Sequence, residues 1–300
     1  NSVMGPPRFE LESLAPKAVK DGKKSVINSD IFLDKYLSFR AINGICEEWL
    51  YSIKNWLEEY LNYVNGTITV DKTLEHIKDL KSRCSQSYYR KRVYQIRKYL
   101  TYLGIEWAKD ISPPPEPFYY AKRVSKDDIN QTLIYFKSHK YFIQFKALIL
   151  LGATSGLRAE ELYQLTRNDI DLENKIIHIN HNPSNGQTTK TRRSRISFFS
   201  EEAKQAILDY LHLFHEDKRL KCLFSQSHIK RMFRDAPIRV KDFRKFFSQE
   251  WDRQGGPTSI KKILMGHSLR GDVDLMHYNY QSEEDLKKIY DKVMSKPEIV

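Results

Sequence analysis

The residues best suited to chemistry in this chain are cations placed where helices begin and end. In Thr154-Ser155-Gly156-Leu157-Arg158-Ala159-Glu160-Glu161-Leu162, Gly156 closes one helix and Arg158 stands at the mouth of the next. A guanidinium fixed there offers a fork of donors to a phosphate, and Glu161, one turn on, can hold it as a carboxylate partner. Lys190 lies in the basic run Thr188 to Arg195, at the tip or start of a strand, with Arg192 and Arg193 beside it. An ammonium crowded by other cations loses its proton more readily, which suits a general acid facing a leaving oxygen. Lys241 and Arg244 are three apart on a helix whose stripe is Val240, Phe243 and Phe247, so both can grip one phosphate. His267 directly follows a helix ending at Gly266, and Tyr278 and Tyr280 precede a well-capped final helix. Taken singly, each of these also fits a solvent-facing ion pair, a phosphate-contacting hairpin, a cap or a core tyrosine.

The elements that must position them follow from periodicity. Trp49, Ile53, Trp56, Leu57, Tyr60 and Leu61 recur at helical spacing, and residues 30–110 read as a small all-helical bundle. Pro113, Pro114, Pro115 and Pro117 make residues 111–118 an extended linker. Residues 1–29 are polar, carry Pro6, Pro7 and Pro16, and read as a loosely ordered arm. Beyond the linker, Ser125 with Asp127 and Asp128 caps a helix whose apolar positions are Ile129, Leu133, Ile134 and Phe136. Two more helices run from about Tyr141 to Leu151 and from Ala159 to Leu165. The period then changes: residues 175–180 and 193–199 alternate as a hairpin around Pro183, Asn185 and Gly186. Helices resume from Ser200, near 225–234, and over 240–251, 258–265 and 282–294. The expected fold is mainly α with a small β-hairpin or sheet, an α+β chain of two domains, residues 30–110 and 119–300.

The 300 residues carry 50 Lys plus Arg against 38 Asp plus Glu, a net charge of +12. That balance favours a polyanionic partner. Lys81 to Lys98 interleaves Arg83, Arg90, Lys91 and Arg92 with Tyr88, Tyr89 and Tyr94, a composition suited to phosphate contact. A solvated face over core tyrosines accounts for any one of these almost as well. Lys122, Arg123, Arg192 and Arg193 extend the expected DNA-binding set. No apolar run approaches the roughly 18 residues of a membrane span, so no membrane partner is expected. Cys46, Cys84 and Cys222 form neither a CxxC pair nor a Cys/His cluster, so neither a disulfide framework nor a metal site is expected. The chain opens with Asn1-Ser2 and shows no charged-then-apolar leader pattern, which reads as a trimmed fragment, and a cytoplasmic, DNA-associated protein is the expectation.

Order turns the scattered candidates into a pattern. Arg158 with Glu161, Lys190 on a hairpin, Lys241 with Arg244, Gly266-His267 and then Tyr278 resembles the tyrosine recombinase (lambda-integrase-like) family across residues 119–300. The upstream half is similar to that family's core-binding domain in type and placement. The usual His-x-x-Arg is Lys241-Asp242-Phe243-Arg244 here, and that variant resembles the archaeal integrases of the spindle-shaped-virus type. A lysine cannot accept a proton as a neutral imidazole does, which leaves the general base unassigned. The spacing from His267 to Tyr278 is two residues longer than is commonest, so Tyr280 competes. Tyr278 is preferred because Tyr278-Asn279-Tyr280 before a capped helix resembles the family's Tyr-Thr-His.

The resemblance implies a site-specific DNA recombinase that cuts and rejoins double-stranded attachment sites through a 3′-phosphotyrosyl bond. Arg158, Lys190, Lys241, Arg244, His267 and Tyr278 would be catalytic and Glu161 would orient Arg158. It implies no cofactor and no metal, and a homotetramer on DNA formed from a protein that is a monomer when free. The final helix could dock on a neighbouring subunit or on its own domain. The rivals are a type IB topoisomerase, which relaxes DNA without exchanging partners, and a non-enzymatic DNA-binding protein.

Overall fold

The computed structural model describes residues 29–213, 221–268 and 281–294. Residues 1–28 of the expected arm and both candidate tyrosines, Tyr278 and Tyr280, lie outside these residues. The chain divides into two compact units, Asn1–Tyr120 and Ala121–Val300, the division falling just past the proline-rich run.

In the first unit α1 (Ser29–Ile42), α2 (Glu47–Val64), α3 (Val70–Arg83) and α4 (Gln86–Tyr102) are followed by a short 3-10 turn, Glu106–Asp110. Helix α2 buries Ile53, Trp56, Leu57, Tyr60, Leu61 and Val64, the stripe expected from three-and-four spacing. Thr69 caps α3 by accepting the Lys72 amide at 3.3 Å. In α4 the buried face is Arg92, Val93, Gln95, Ile96, Tyr99 and Leu100. Arg92 is therefore a correction to the expected DNA-binding set. Its guanidinium lies inside the unit and pairs with Glu59 of α2, which also pairs with Arg83 of α3. Helical phase, not composition, decides this, because Arg92 sits beside Val93 and one turn before Ile96 on the inward face.

The second unit contains α5 (Lys126–Phe136), α6 (Phe142–Ser155), α7 (Ala159–Gln164), β1 (Ile170–Asp171), β2 (Ile176–Ile179), β3 (Arg195–Phe198), α8 (Glu201–Leu213), α9 (Gln226–Met232), α10 (Val240–Arg253), α11 (Thr258–Met265) and α12 (Glu283–Met294). Ser125 and Asp128 form the reciprocal capping box at the start of α5. Ile134 of that helix is exposed, outside the apolar stripe. Helix α6 is buried along nearly its whole length and packs against α8 and α10. The buried run Ala147 to Ala153 carries no polar side chain, which is why α6 can lie at the centre. The expected hairpin forms as β2 and β3, antiparallel with Ile176 opposite Phe198 and Ile179 opposite Arg195. The two-residue strand β1 pairs on the other side of β2 and completes a three-stranded sheet. It is too short for alternation to announce it.

Helix α12 docks on its own domain. Ser282 accepts the Asp285 amide at 3.1 Å, and Leu286, Tyr290, Val293 and Met294 join Phe198, Phe247, Trp251 and Leu264 in one apolar cluster. The Tyr290 hydroxyl donates to the Thr154 carbonyl at 2.8 Å.

The end of α6 depends on a glycine. Gly156 has φ of 67°, and a Cβ there would lie 2.5 Å from Cδ1 of Phe247. Gly186, in the β2–β3 connection, has φ of 85° but open space around it. Gly186→Ala is therefore expected to cost about 1 kcal/mol through its backbone alone, and Gly156→Ala about 2–4 kcal/mol through backbone plus overpacking. Urea denaturation of the two variants checks the difference.

Candidate active site

Three chain reversals build the site. Gly156 ends α6 and Gly266 ends α11, both in the left-handed conformation, so each helix leaves carbonyls without helical partners. Arginines take them: Arg244 Nη1 donates to the Gly156 carbonyl at 2.6 Å, and Arg158 Nη2 to the Gly266 carbonyl at 2.9 Å. The negative end of a helix is a favourable place for a guanidinium. Arg158 is also the N-cap of α7, and its backbone amide and Nη1 donate to the two Glu161 oxygens, each at 2.8 Å. The expected Arg158–Glu161 pair is present.

Glu161 is almost completely buried and holds a second cation. Arg195 of β3 donates Nη1 to Oε1 at 3.0 Å and Nη2 to Oε2 at 2.7 Å. Burial would raise the Glu161 pKa, but the Arg195 hydrogen bonds and charge, then the Arg158 amide and guanidinium, bring it down to about 2. The carboxylate is thus ionised across the physiological range. Arg195 is absent from the sequence-derived set. Its signal was its strand phase: it alternates with Ser197, whose buried hydroxyl donates to the Ser155 carbonyl at 2.7 Å.

The three arginines, Arg158, Arg195 and Arg244, line one cleft of about 960 Å³, whose walls also include Lys190, Thr191, Arg193, Ser194, Gly266 and His267. Lys190 stands exposed on a fixed turn. The Arg192 amide closes it on the Thr189 carbonyl at 3.0 Å, and the Thr189 hydroxyl both donates to the Arg193 carbonyl and accepts the Arg193 amide. The turn is pinned to the body by Thr188, whose amide donates to Gln164 Oε1 at 2.8 Å.

Crowding by like charges marks the cleft. Burial and the neighbouring Arg158 push the Arg244 pKa down to about 9, still leaving a cation at neutral pH. His267 has an exposed surface, yet partial desolvation and then Arg244, Arg158, Lys261 and Arg195 lower its pKa below the usual histidine value. An anion entering such a cleft relieves repulsion as well as gaining hydrogen bonds.

Arg158, Glu161, Lys190, Arg244 and His267 are thus brought together, with Arg193 of the expected DNA-binding set. Lys241 is not. It is exposed on the first turn of α10 and does not line the cleft, whereas Arg244, one turn further along, does. Lys122, Arg123 and Arg192 are exposed in the same unit. In the first unit Lys91 is exposed, Arg83 pairs with Glu59 and Asp79, and Arg90 donates to the Pro114 carbonyl and pairs with Glu116. The Tyr88 hydroxyl accepts from Trp56 Nε1 at 2.7 Å. The outward stripe of α4 adds Arg97 and Lys98, which share a groove of about 590 Å³ with Tyr36, Arg40 and Tyr94.

The second unit is a helical body with a cation-lined cleft at the ends of α6 and α11 and a lysine on a β-turn, and its relatives make it a tyrosine site-specific recombinase. The chain belongs to the phage integrase family, whose model matches residues 122–279. It is 25% identical to the tyrosine recombinase XerA of Saccharolobus solfataricus, over 81% of this chain and 78% of that protein. It is 21% identical to a probable integrase/recombinase of Acholeplasma phage L2, over 86% and 76% of the two chains. Among solved structures, a lambda integrase (75-356) dimer bound to a COC′ core site shares the fold with a TM-score of 0.62 and 12% identity, covering 84% of this chain and 98% of that one. The Tn1549 transposon integrase in complex with transposon right-end DNA gives 0.61 and 14%, covering 88% and 98%.

Proposed function

We propose that this recombinase cuts and rejoins double-stranded DNA at attachment sites through a 3′-phosphotyrosyl bond on Tyr278, integrating or excising a mobile element. The observation that carries the reading is the convergence of Arg158, Arg244, His267 and Lys190 on one cleft. The phenol gives up its proton to water and its oxygen attacks the scissile phosphorus as the bond to the 5′-oxygen breaks. Arg158, Arg244 and His267 hold the non-bridging oxygens, which gain charge in the transition state. Lys190 delivers a proton to the departing 5′-oxygen, and its exposed turn gives the ammonium access to that side. The ester energy is stored in the phosphotyrosyl bond, and a 5′-hydroxyl of the partner strand reverses the step. Glu161 keeps Arg158 oriented. Lys241, at the rim of the same helix as Arg244, contacts a flanking phosphate, and its presence in place of histidine supports kinship with the spindle-shaped-virus type of integrase.

The lambda and Tn1549 integrases were solved on DNA, which supports a duplex as the partner here. In the first unit, Lys91, Arg97 and Lys98 on the outward stripe of α4 take phosphates, helped by Arg40; α4 contains no acidic residue. In the second, Lys122, Arg123, Arg192 and Arg193 do so. A tetramer assembles when two sites meet. Duplex affinity is expected to fall linearly with the logarithm of salt, and Arg97→Ala or Lys98→Ala to reduce that slope by about 1 each. Fluorescence anisotropy over a salt series checks it. An unchanged slope in both variants would remove α4 from the interface.

The function itself is tested by incubating the protein with a labelled suicide duplex and mapping the attached peptide. The expected product is an adduct at Tyr278 bearing a 3′-phosphate linkage. A 5′ linkage, or no adduct on any nicked or intact duplex, would overturn the reading.

A further inference from the structure

We propose that Arg195 is a positioning residue for DNA cleavage, fixing Arg158 and His267 at once by clamping Glu161 to the end of α11. The inference rests on the function proposed above and extends it to a residue outside the expected catalytic set. Three contacts carry it. The Arg195 fork meets both Glu161 oxygens, at 3.0 and 2.7 Å, and the opposite side of that carboxylate holds Arg158. Its Nε donates to the Leu264 carbonyl at 2.9 Å, in the last turn of α11. Its guanidinium also packs under Gly266, where a Cβ would come within 2.7 Å of Nε. Gly266 in turn presents its carbonyl to Arg158 and is followed directly by His267. One side chain thus joins β3, α7 and α11 beneath the cleft.

The planar fork matters as much as the charge. With its donors directed at two carboxylate oxygens and one helical carbonyl, Arg195 fixes three bodies at defined angles, which a lysine ammonium cannot do. Without it, Glu161 has Arg158 as its sole guanidinium partner, and its tie to the end of α11 runs through Arg158 and the Gly266 carbonyl alone. The cleft residues then lose their alignment, and a misplacement of about 1 Å is enough to slow chemistry about a hundredfold.

Arg195→Lys and Arg195→Gln separate positioning from mere scaffolding. In single-turnover cleavage of a suicide duplex at saturating DNA, both are expected to retain duplex affinity within about threefold and to cleave about 100-fold more slowly. Arg195→Lys keeps the charge, so failure to restore the rate would point to the fork. The pH profile gains an acid limb, because Glu161 with one guanidinium takes up a proton at higher pH than the wild type, where its pKa is about 2. In a Glu161→Gln background that limb is absent, and adding Arg195→Lys slows cleavage little further. Carbon-13 NMR of the Glu161 carboxyl reads the same shift in the uncleaved state. A rate within threefold of wild type, or an unshifted Glu161 titration, would overturn the role of Arg195. A wild-type protein that never forms the adduct would instead overturn the proposed function, while the titration still decides whether Arg195 governs Glu161.

Discussion

Tyr278→Phe is expected to remove the covalent protein–DNA adduct altogether while leaving duplex affinity within about twofold. The substitution deletes one oxygen, the atom that would bond to phosphorus, and changes neither charge at neutral pH nor ring volume. Loss of the nucleophile from a covalent mechanism is the largest single effect open to mutation, about 10⁴-fold or more in rate. A phenol has an unperturbed pKa near 10 and so needs neighbouring cations to lower the cost of its deprotonation. The cleft supplies them in Arg158 and Arg244, which are held by Glu161 and the Gly156 carbonyl. Tyr280→Phe is the matched control and should retain the adduct. If Tyr280→Phe abolishes it and Tyr278→Phe does not, the nucleophile is Tyr280, two residues further along the chain. Denaturing gels of a labelled suicide duplex, with anisotropy for affinity, read both quantities.

How much of this was legible in the sequence depends on the range of each interaction. Arg158 and Glu161 were readable because an N-cap and its N3 partner are three residues apart, and the capping geometry that joins them is local. Gly156 and Gly266 were readable as helix ends for the same reason. The mainly helical fold with its hairpin followed from period alone. Arg195 was not readable, since its partner Glu161 lies 34 residues upstream across a sheet, and three neighbouring residues of the run 190–195 are also cationic. Composition made Arg92 look like its neighbours Arg90 and Lys91, yet helical phase turned it inward, where Glu59 neutralises it. Lys241 and Arg244 share a helical side by spacing, but only Arg244 reaches the Gly156 carbonyl and the cleft. Spacing says which residues are neighbours on a helix; it does not say where the helix end lies relative to a cavity.

Replacing the bridging 5′-oxygen of the scissile phosphate with sulfur is expected to divide the cleft residues by role. An alkoxide must be protonated as it leaves, whereas a thiolate, whose conjugate acid has a pKa near 8.5, departs without that help. Lys190→Ala should therefore slow cleavage of the ordinary duplex about 10²–10⁴-fold, yet cleave the sulfur-substituted duplex within about tenfold of the wild-type rate. Arg244→Ala should lose about 10²–10³-fold on both duplexes, because its work is on the non-bridging oxygens, whose charge develops with either leaving atom. Arg244→Lys should recover only part of that loss. One edge of the native guanidinium is committed to the Gly156 carbonyl at 2.6 Å while the rest of the planar group faces the cleft, and an ammonium cannot serve both directions. If sulfur rescues Arg244→Ala but not Lys190→Ala, proton delivery passes through Arg244, and the turn at Thr189–Arg193 is a DNA-contacting element without part in the chemistry. If it rescues neither, the leaving-group proton comes from elsewhere, and His267, whose pKa partial desolvation and the neighbouring arginines hold below its usual value and an entering anion would raise, becomes the next donor to test.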